Sequence, residues 1–370
     1  MGRLTRAEMQ ERNRARVLVA ARDEFTERGF RDAKIDNIAE RAELTRGAVY
    51  SNFPGKRALY FSVLVDDAER MSELLTSEAS EPGDTPGAAL AAFARAWLAR
   101  LPLATDAQPG PARLGVDLIP EVIADVRTRI PFAELTRLNA ILLGLALERL
   151  PPCSKGASRR VGVAETALTT LHGASQLAAA APGFVEPFNV ISACAQLADL
   201  DLGDRWQPAH LPHISPARPV DELWSPPSAT DAVRGEPVSL AGDGVVAILG
   251  LHRLGAIEEA VRAAPAGSDV TAVLVTSAPE ELAPLARLVV ADFRTCLRQA
   301  FPPSAWPRLR VVHDESGRLA AAAGVAAVSD VTETAIRVEA GRIVARADGF
   351  GACHAAASTD GHASGQPAQV

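Results

Sequence analysis

Tyrosine and methionine are scarce, at two and three residues in 370, and lysine is rarer than arginine throughout. None of these shortages points to a function. Other absences exclude more. No apolar run approaches bilayer length, so no membrane partner is expected. The N-terminus is polar and charged with no apolar stretch behind it, so no signal peptide is expected and the location is cytoplasmic. Cys153, Cys194, Cys296 and Cys353 stand far apart and form no CxxC pair. In a reducing compartment they are free thiols. Two short groups carry metal-capable side chains, His210-Leu-Pro-His213 in a proline-rich stretch and Cys353-His354 with His362 near the C-terminus. Neither offers the four rigid ligands that zinc takes, so no metal and no cofactor are expected. Apolar residues make up 48%, ample for cores, and the length suggests two or three domains.

The most informative stretch is 33–60, AKIDNIAERAELTRGAVYSNFPGKRALY. Ile35, Ile38, Ala39 and Ala42 fall at helical spacing. Leu44 plugs a turn, and Thr45 is a good N-cap for a second helix running to about Phe53. Pro54-Gly55 stops that helix, and Lys56 and Arg57 open the next. Val49 and Phe53 face inward, while Arg46, Ala48, Tyr50, Ser51 and Asn52 face a partner. A small, polar, cationic outer face on the second helix is what entry into the DNA major groove demands. The preceding helix has an apolar stripe of Val17, Ala20, Ala21 and Phe25, and Gly29-Phe30 ends it. Residues 1–60 carry 13 basic and 9 acidic side chains on a chain of net charge −7. Any nucleic-acid surface therefore lies at the N-terminal end.

Over its first sixty residues the chain resembles the TetR family of bacterial transcriptional regulators. The strongest part is Thr45-Arg46-Gly47-Ala48-Val49-Tyr50-Ser51-Asn52-Phe53, followed by Gly55-Lys56. Two positions depart from the family pattern: Glu43 stands where a turn glycine is usual, and Lys34 where a threonine usually caps the helix and touches phosphate. A lysine reaches phosphate as a point charge. The resemblance implies a homodimer that sets residues 45–53 into each half of a palindromic double-stranded operator, as a repressor released by a small-molecule effector. Arg46 is the residue to read guanine, and Ser51 or Asn52 to make polar base or phosphate contacts. Tyr50 and Lys56 bind phosphate by resemblance. The DNA-binding set is Lys34, Thr45, Arg46, Gly47, Ala48, Tyr50, Ser51, Asn52 and Lys56.

From about 57 to 200 only helices are expected: a long one started by Leu59, Tyr60, Val63 and Leu64, then others near 89–101, 113–128, 132–150, 158–181 and 186–200, with Pro102, Pro109 and Pro111 marking a loop. In the family such a domain binds effector and dimerises, its last two helices pairing with their copies in a four-helix bundle. Phe93, Trp97, Leu114, Ile130, Phe132 and His172 are candidate effector-lining residues, each also an ordinary core residue.

Prolines at 208, 212, 216, 219, 226, 227 and 237 exclude regular helix or a central strand, so 204–240 is expected to be a stiff linker, with Trp206 and Trp224 against a domain surface. Beyond it the pattern changes to strand, helix, strand, helix, strand, helix and hairpin: 244–250, 257–264, 270–276, 279–301, 309–312, 317–323, then 334–338 and 342–345 turned at Ala340-Gly341. With His313-Asp314-Glu315-Ser316-Gly317-Arg318-Leu319-Ala320 and Gly341-Arg342-Ile343-Val344-Ala345-Arg346, this resembles the thioredoxin-like fold, in its peroxiredoxin branch. Arg253 and Ala256 stand where that fold's two cysteines belong, and Val331-Thr332-Glu333-Thr334 where its proline does. A helix-start thiolate is thus missing, and no enzyme is expected.

The expected fold class is an all-α helix-turn-helix (1–56) with a helical ligand-binding and dimerisation domain (57–203), a linker (204–240), an α/β thioredoxin-like domain (241–355) and a disordered tail (356–370). The expected function is a ligand-responsive DNA-binding regulator. The rival roles are a thiol peroxidase or reductase, or a protein-docking module, carried by the α/β domain.

Overall fold

The computed structural model describes residues 5–75, 82–101, 114–151, 159–208 and 210–358, with the backbone alone over 71–75. Cys153, His362 and the prolines at 102, 109 and 111 lie outside the described residues. The chain forms two compact units, and neither is contiguous in sequence. The first contains 1–204 and 278–306, the second 205–277 and 307–370.

The first unit is helical. Helix α1 (Arg6–Asp32) starts at a capping box of Thr5 and Glu8. Helices α2 (Ile35–Arg41) and α3 (Arg46–Tyr50) follow, then α4 (Lys56–Leu75), α5 (Pro86–Leu98), α6 (Leu118–Ala124), α7 (Val126–Glu148), α8 (Val161–Ala180) and α9 (Pro187–Leu197). The break between α6 and α7 falls at Asp125, whose carboxylate caps α7 through the Arg127 N–H at 3.0 Å. Helix α7 is long and apolar enough by length and composition to cross a bilayer, contrary to the expectation that no run qualifies. Leu135, Leu138, Ile141, Leu142 and Leu143 are nevertheless fully buried, as in a core helix. It meets α8 closely: a Cβ on Gly144 would lie 2.8 Å from Val161.

One core helix comes from far along the chain. Residues Pro279–Ala300, α11, pack against α4, α5 and α7. Phe293 lies against Phe93, with ring centroids 5.8 Å apart, and the Asn139 amide donates to the Val289 carbonyl at 3.2 Å. The helix itself is where its periodicity predicts it. Its membership is not, because sequence order places it in the α/β domain.

The second unit holds a six-stranded mixed sheet in the order β1-β8-β7-β4-β5-β6. Its strands are β1 (Arg218–Leu223), β4 (Gly244–Gly250), β5 (Asp269–Val275), β6 (Arg310–His313), β7 (Glu333–Glu339) and β8 (Arg342–Asp348). Strands β4, β5 and β6 run parallel, and β7 and β8 are antiparallel. The β7–β8 turn places Ala340 at φ 46° and Gly341 at φ 73°, the left-handed pair that a tight hairpin needs. Helices α10 (Ile257–Ala263) and α13 (Ala352–Ser358) pack together, with α13 on β7 and β8, while α12 (Arg318–Ala322) contributes Leu319 and Ala320 to a core with Val246, Ile248, Val273 and Ile336.

The stretch expected as a linker belongs to this unit. Pro219 sits on an edge strand, where a missing N–H is tolerated, and β1 pairs with β8. Strands β2 (Ala229–Asp231) and β3 (Glu236–Val238) form a small ribbon. Trp224 is buried and its indole donates to the Leu240 carbonyl at 2.7 Å. The tail was expected to be disordered from 356, but Ala356 and Ala357 are buried in α13.

Candidate nucleic-acid interface

The helix-turn-helix is assembled around a carboxylate that the sequence pattern hides. Glu24 lies on the same α1 stripe as Val17, Ala20 and Ala21 and is fully buried. It accepts from the Asn37 amide at 2.8 Å and the Lys34 N–H at 3.3 Å, and pairs with Arg28 at 3.3 Å and Arg41 at 3.2 Å. One buried charge with this many donors fixes α2 onto α1. An acidic residue interrupting an apolar stripe was the available signal. Lys34 stands at the N-cap of α2 with its side chain exposed, capping nothing. Glu43 occupies the turn at φ 51°, a left-handed conformation, and is held by Arg16 at 2.7 Å.

Thr45 caps α3, accepting from the Ala48 N–H at 3.2 Å. Val49 and Phe53 are buried, while Thr45, Arg46, Gly47, Tyr50 and Ser51 are exposed. The helix stops at Tyr50, short of the expected Phe53. The Ser51 hydroxyl and Asn52 amide both turn back to the Ala48 carbonyl, at 2.9 and 2.8 Å, and compete with a continuing helix. Arg14 clamps this end, donating to the Asn52 carbonyl at 3.1 Å and lying over the Phe53 ring at 4.4 Å. Arg46 rests 3.3 Å from the Asp36 carboxylate, and its guanidinium lies 5.6 Å from the Tyr50 ring centre. Lys56 donates to the Arg31 carbonyl at 3.1 Å over the Phe30 ring, and burial pushes its pKa down.

This head is anchored to the helical body. The Phe30 N–H donates to Asp117 at 2.7 Å, and Arg57 bridges Glu121 at 3.2 Å and Asp125 at 2.9 Å. The Tyr60 hydroxyl, its pKa raised by burial, donates to the Leu114 carbonyl.

Four of the six expected effector-lining residues meet in the interior of the helical unit. His172 lies edge-on to Trp97 at 4.9 Å and to Phe132 at 5.9 Å, and Trp97 is stacked 6.3 Å from Phe93. Trp97 donates to the Ser175 hydroxyl at 2.9 Å. Burial lowers the His172 pKa, opposed by the field of Asp292. The other two do not join them: Leu114 is buried beneath Tyr60, and Ile130 is 50% exposed.

In the α/β unit Arg253, at the expected first-cysteine position, donates to the buried Glu333 carboxylate at 2.9 Å and lies over Phe350. Cys296 and Cys194 are buried, which pushes each thiol up to about 11. The Cys353 thiol is pushed well above its ordinary value, first by burial, then by Glu333 and Glu259. His210 meets Glu259 at 2.9 Å, and no metal-type group of three ligands occurs among the described residues. A polar cavity of about 230 Å³ is lined by residues that include Ser228, His313, Asp314, Ser316 and Arg318.

Residues 17–63 match the family of bacterial regulatory proteins, tetR family. The transcriptional regulator SrpR of Pseudomonas putida is 45% identical over 64 residues, which cover 17% of this chain and 30% of that protein. TtgW, also of Pseudomonas putida, is 45% identical over 64 residues, covering 17% and 47%. YdgC of Bacillus subtilis is 37% identical over 71 residues, covering 19% and 36%. The chain thus spans less than half the length of these relatives. A solved TetR regulator from Rhodococcus sp. RHA1 aligns over 52% of this chain and 95% of its own, at 17% identity and a TM-score of 0.32. The N-terminal segment 17–63 is a TetR-family helix-turn-helix.

Proposed function

We propose that the chain is a DNA-binding transcriptional regulator of the TetR type. It binds a palindromic operator as a homodimer, represses, and is released by a small apolar effector. The observation that carries the DNA-binding reading is α3: Val49 and Phe53 lock it inward, and Arg46 and Tyr50 project from its exposed side. Arg46 leaves Asp36 to read guanine, and the pair it gives up is solvent-exposed and therefore weak. Lys34, Thr45, Gly47, Ala48, Ser51, Asn52 and Lys56 complete the contact set. Lys56 keeps N–H groups for phosphate beside its bond to Arg31.

The effector enters the cluster of Phe93, Trp97, Phe132 and His172. The dimer forms through α8, α9 and the turn between them, where Leu177, Phe188 and Phe184 respectively are exposed. The α/β unit is thioredoxin-like: three parallel strands continue into an antiparallel hairpin. With Arg253 paired to Glu333 where a thiolate belongs, this fold serves regulation and not redox turnover.

Selection of binding sites from a random duplex library tests the reading. An inverted-repeat sequence should be enriched. Arg46→Ala should then weaken specific binding by about 1–3 kcal/mol and relax one base position. Lys56→Ala should weaken specific and random duplex alike and flatten the salt dependence. Failure to enrich any sequence would refute the proposal.

A further inference from the structure

The reading above gives the α/β unit a regulatory role without a route to the DNA-binding head, and the segment between two of its strands is a core helix of the helical unit. Helix α11 is the helix that α4 packs against most extensively, and α4 opens just after the recognition helix. The same α11 meets the proposed effector cluster. Phe293 touches Phe93, and the field of Asp292 acts on His172. Within the helical unit both termini are tied: Arg127 pairs with Glu281 at 3.1 Å, the Gly83 N–H donates to the Ala300 carbonyl at 2.9 Å, and Arg149 donates to the Ser304 carbonyl at 2.8 Å.

Along the chain, α11 is the direct continuation of β5, an internal strand between β4 and β6. The connector 276–278 is short, and it is latched. The Thr276 hydroxyl donates to one Asp330 carboxylate oxygen at 2.6 Å, and the Ser277 hydroxyl to the other at 2.9 Å. The loop that carries Asp330 is itself bound to β4. The Gly250 N–H donates to the Thr332 carbonyl and the His252 N–H to the Asp330 carbonyl, each at 2.8 Å. Gly250 admits that loop because it lacks a side chain: a Cβ there would lie 2.4 Å from the backbone of Ser329 and Asp330.

We propose that the α/β unit is a second regulatory input to the DNA-binding head, delivered through α11 and set by the Asp330 latch. This rests on the DNA-binding reading. Helix α11 spans about 33 Å, from 22 residues at about 1.5 Å each, with Pro284 in its second turn. A ligand or partner that alters the 325–332 loop frees or tightens its first turn. The change reaches α4, and the linkage is reciprocal, so operator DNA also biases the α/β unit.

The test uses the full chain with Asp330→Ala, Asp330→Asn and Ser277→Ala, followed by amide hydrogen exchange and by affinity for the selected duplex. Asp330→Ala should speed exchange in the first turns of α11 and in α4 by about 5-fold or more, and should change duplex affinity by a comparable factor. The sheet should stay protected, and the two milder variants should move the same amides less. Ser277→Ala removes a single hydrogen bond and answers the question even if Asp330→Ala does not fold. Faster exchange confined to the 325–332 loop, or raised evenly through the whole chain, overturns the proposal. If the wild type selects no DNA, the regulator reading fails by itself, and exchange in α4 still decides the coupling.

Discussion

At the scale of single residues, Glu43 shows why one departure from a family pattern need not break a fold. A left-handed non-glycine residue costs about 1–2 kcal/mol. Replacement by glycine removes that strain, but it adds roughly 0.4–1 kcal/mol of unfolded-chain entropy and loses an exposed pair worth about 0.2–1 kcal/mol. The terms nearly cancel. Glu43→Gly should leave thermal stability within about 0.5 kcal/mol of wild type, whereas Glu43→Val, β-branched at φ 51°, should lose about 1–2 kcal/mol. A melt that ranks the two the other way contradicts this account of the turn. The thiols give a second residue-scale prediction. With Cys153 replaced by Ser, an aromatic disulfide reagent at pH 8 should leave Cys194, Cys296 and Cys353 unmodified in the native protein, because burial pushes each thiol above its ordinary pKa. Full reaction should appear only on denaturation. Rapid labelling of Cys296 in the native state would reopen a redox role.

At the scale of elements, the sequence was legible wherever local chemistry is strong. The Thr45 cap, the inward pair Val49 and Phe53, the buried run 244–250 and the Ala340-Gly341 turn each act within a few residues, and each lies where its pattern predicts, although α3 itself ends at Tyr50. Glu24 left a signal, an acidic residue on an apolar stripe, but that signal reads as burial only once its donors Arg28, Lys34, Asn37 and Arg41 are known to converge on it. The short strands β1 and β3 are hidden by Pro219 and Pro237, and β2 by its three-residue length, since proline forbids a central strand but permits an edge. Helices α8 and α9 carry a prediction at this scale. Phe184 is 70% and Phe188 80% exposed, a large apolar area for the surface of a single copy. Phe188→Asp should shift sedimentation from dimer to monomer and weaken operator binding, while leaving helicity intact. An unchanged dimer would move the interface elsewhere.

At the scale of the whole molecule, sequence order misleads. Composition changes near 204, but the chain later returns to the first unit with α11. Amphipathicity predicts that such a helix is half buried without naming its partner, so sequence order alone places it in the α/β domain. The consequence is a prediction about fragments. Residues 1–203 lack Leu285, Val289, Val290 and Phe293, all buried in α11, and lose their packing on α4, α5 and α7. At about 1.5–3 kcal/mol for each large side chain, that loss is comparable with the roughly 5–15 kcal/mol that holds a typical domain together. The 1–203 fragment should therefore aggregate or unfold without a cooperative transition. Joining residues 278–306 to it through a flexible linker should restore a sharp melt and duplex binding. The full chain cut by a specific protease in the 201–203 segment should stay associated, since 204–370 still supplies α11. Analytical ultracentrifugation of the cut protein decides the matter: separation into two soluble pieces, with 1–203 still folded and binding DNA, would show that the helical unit is complete without its distant helix.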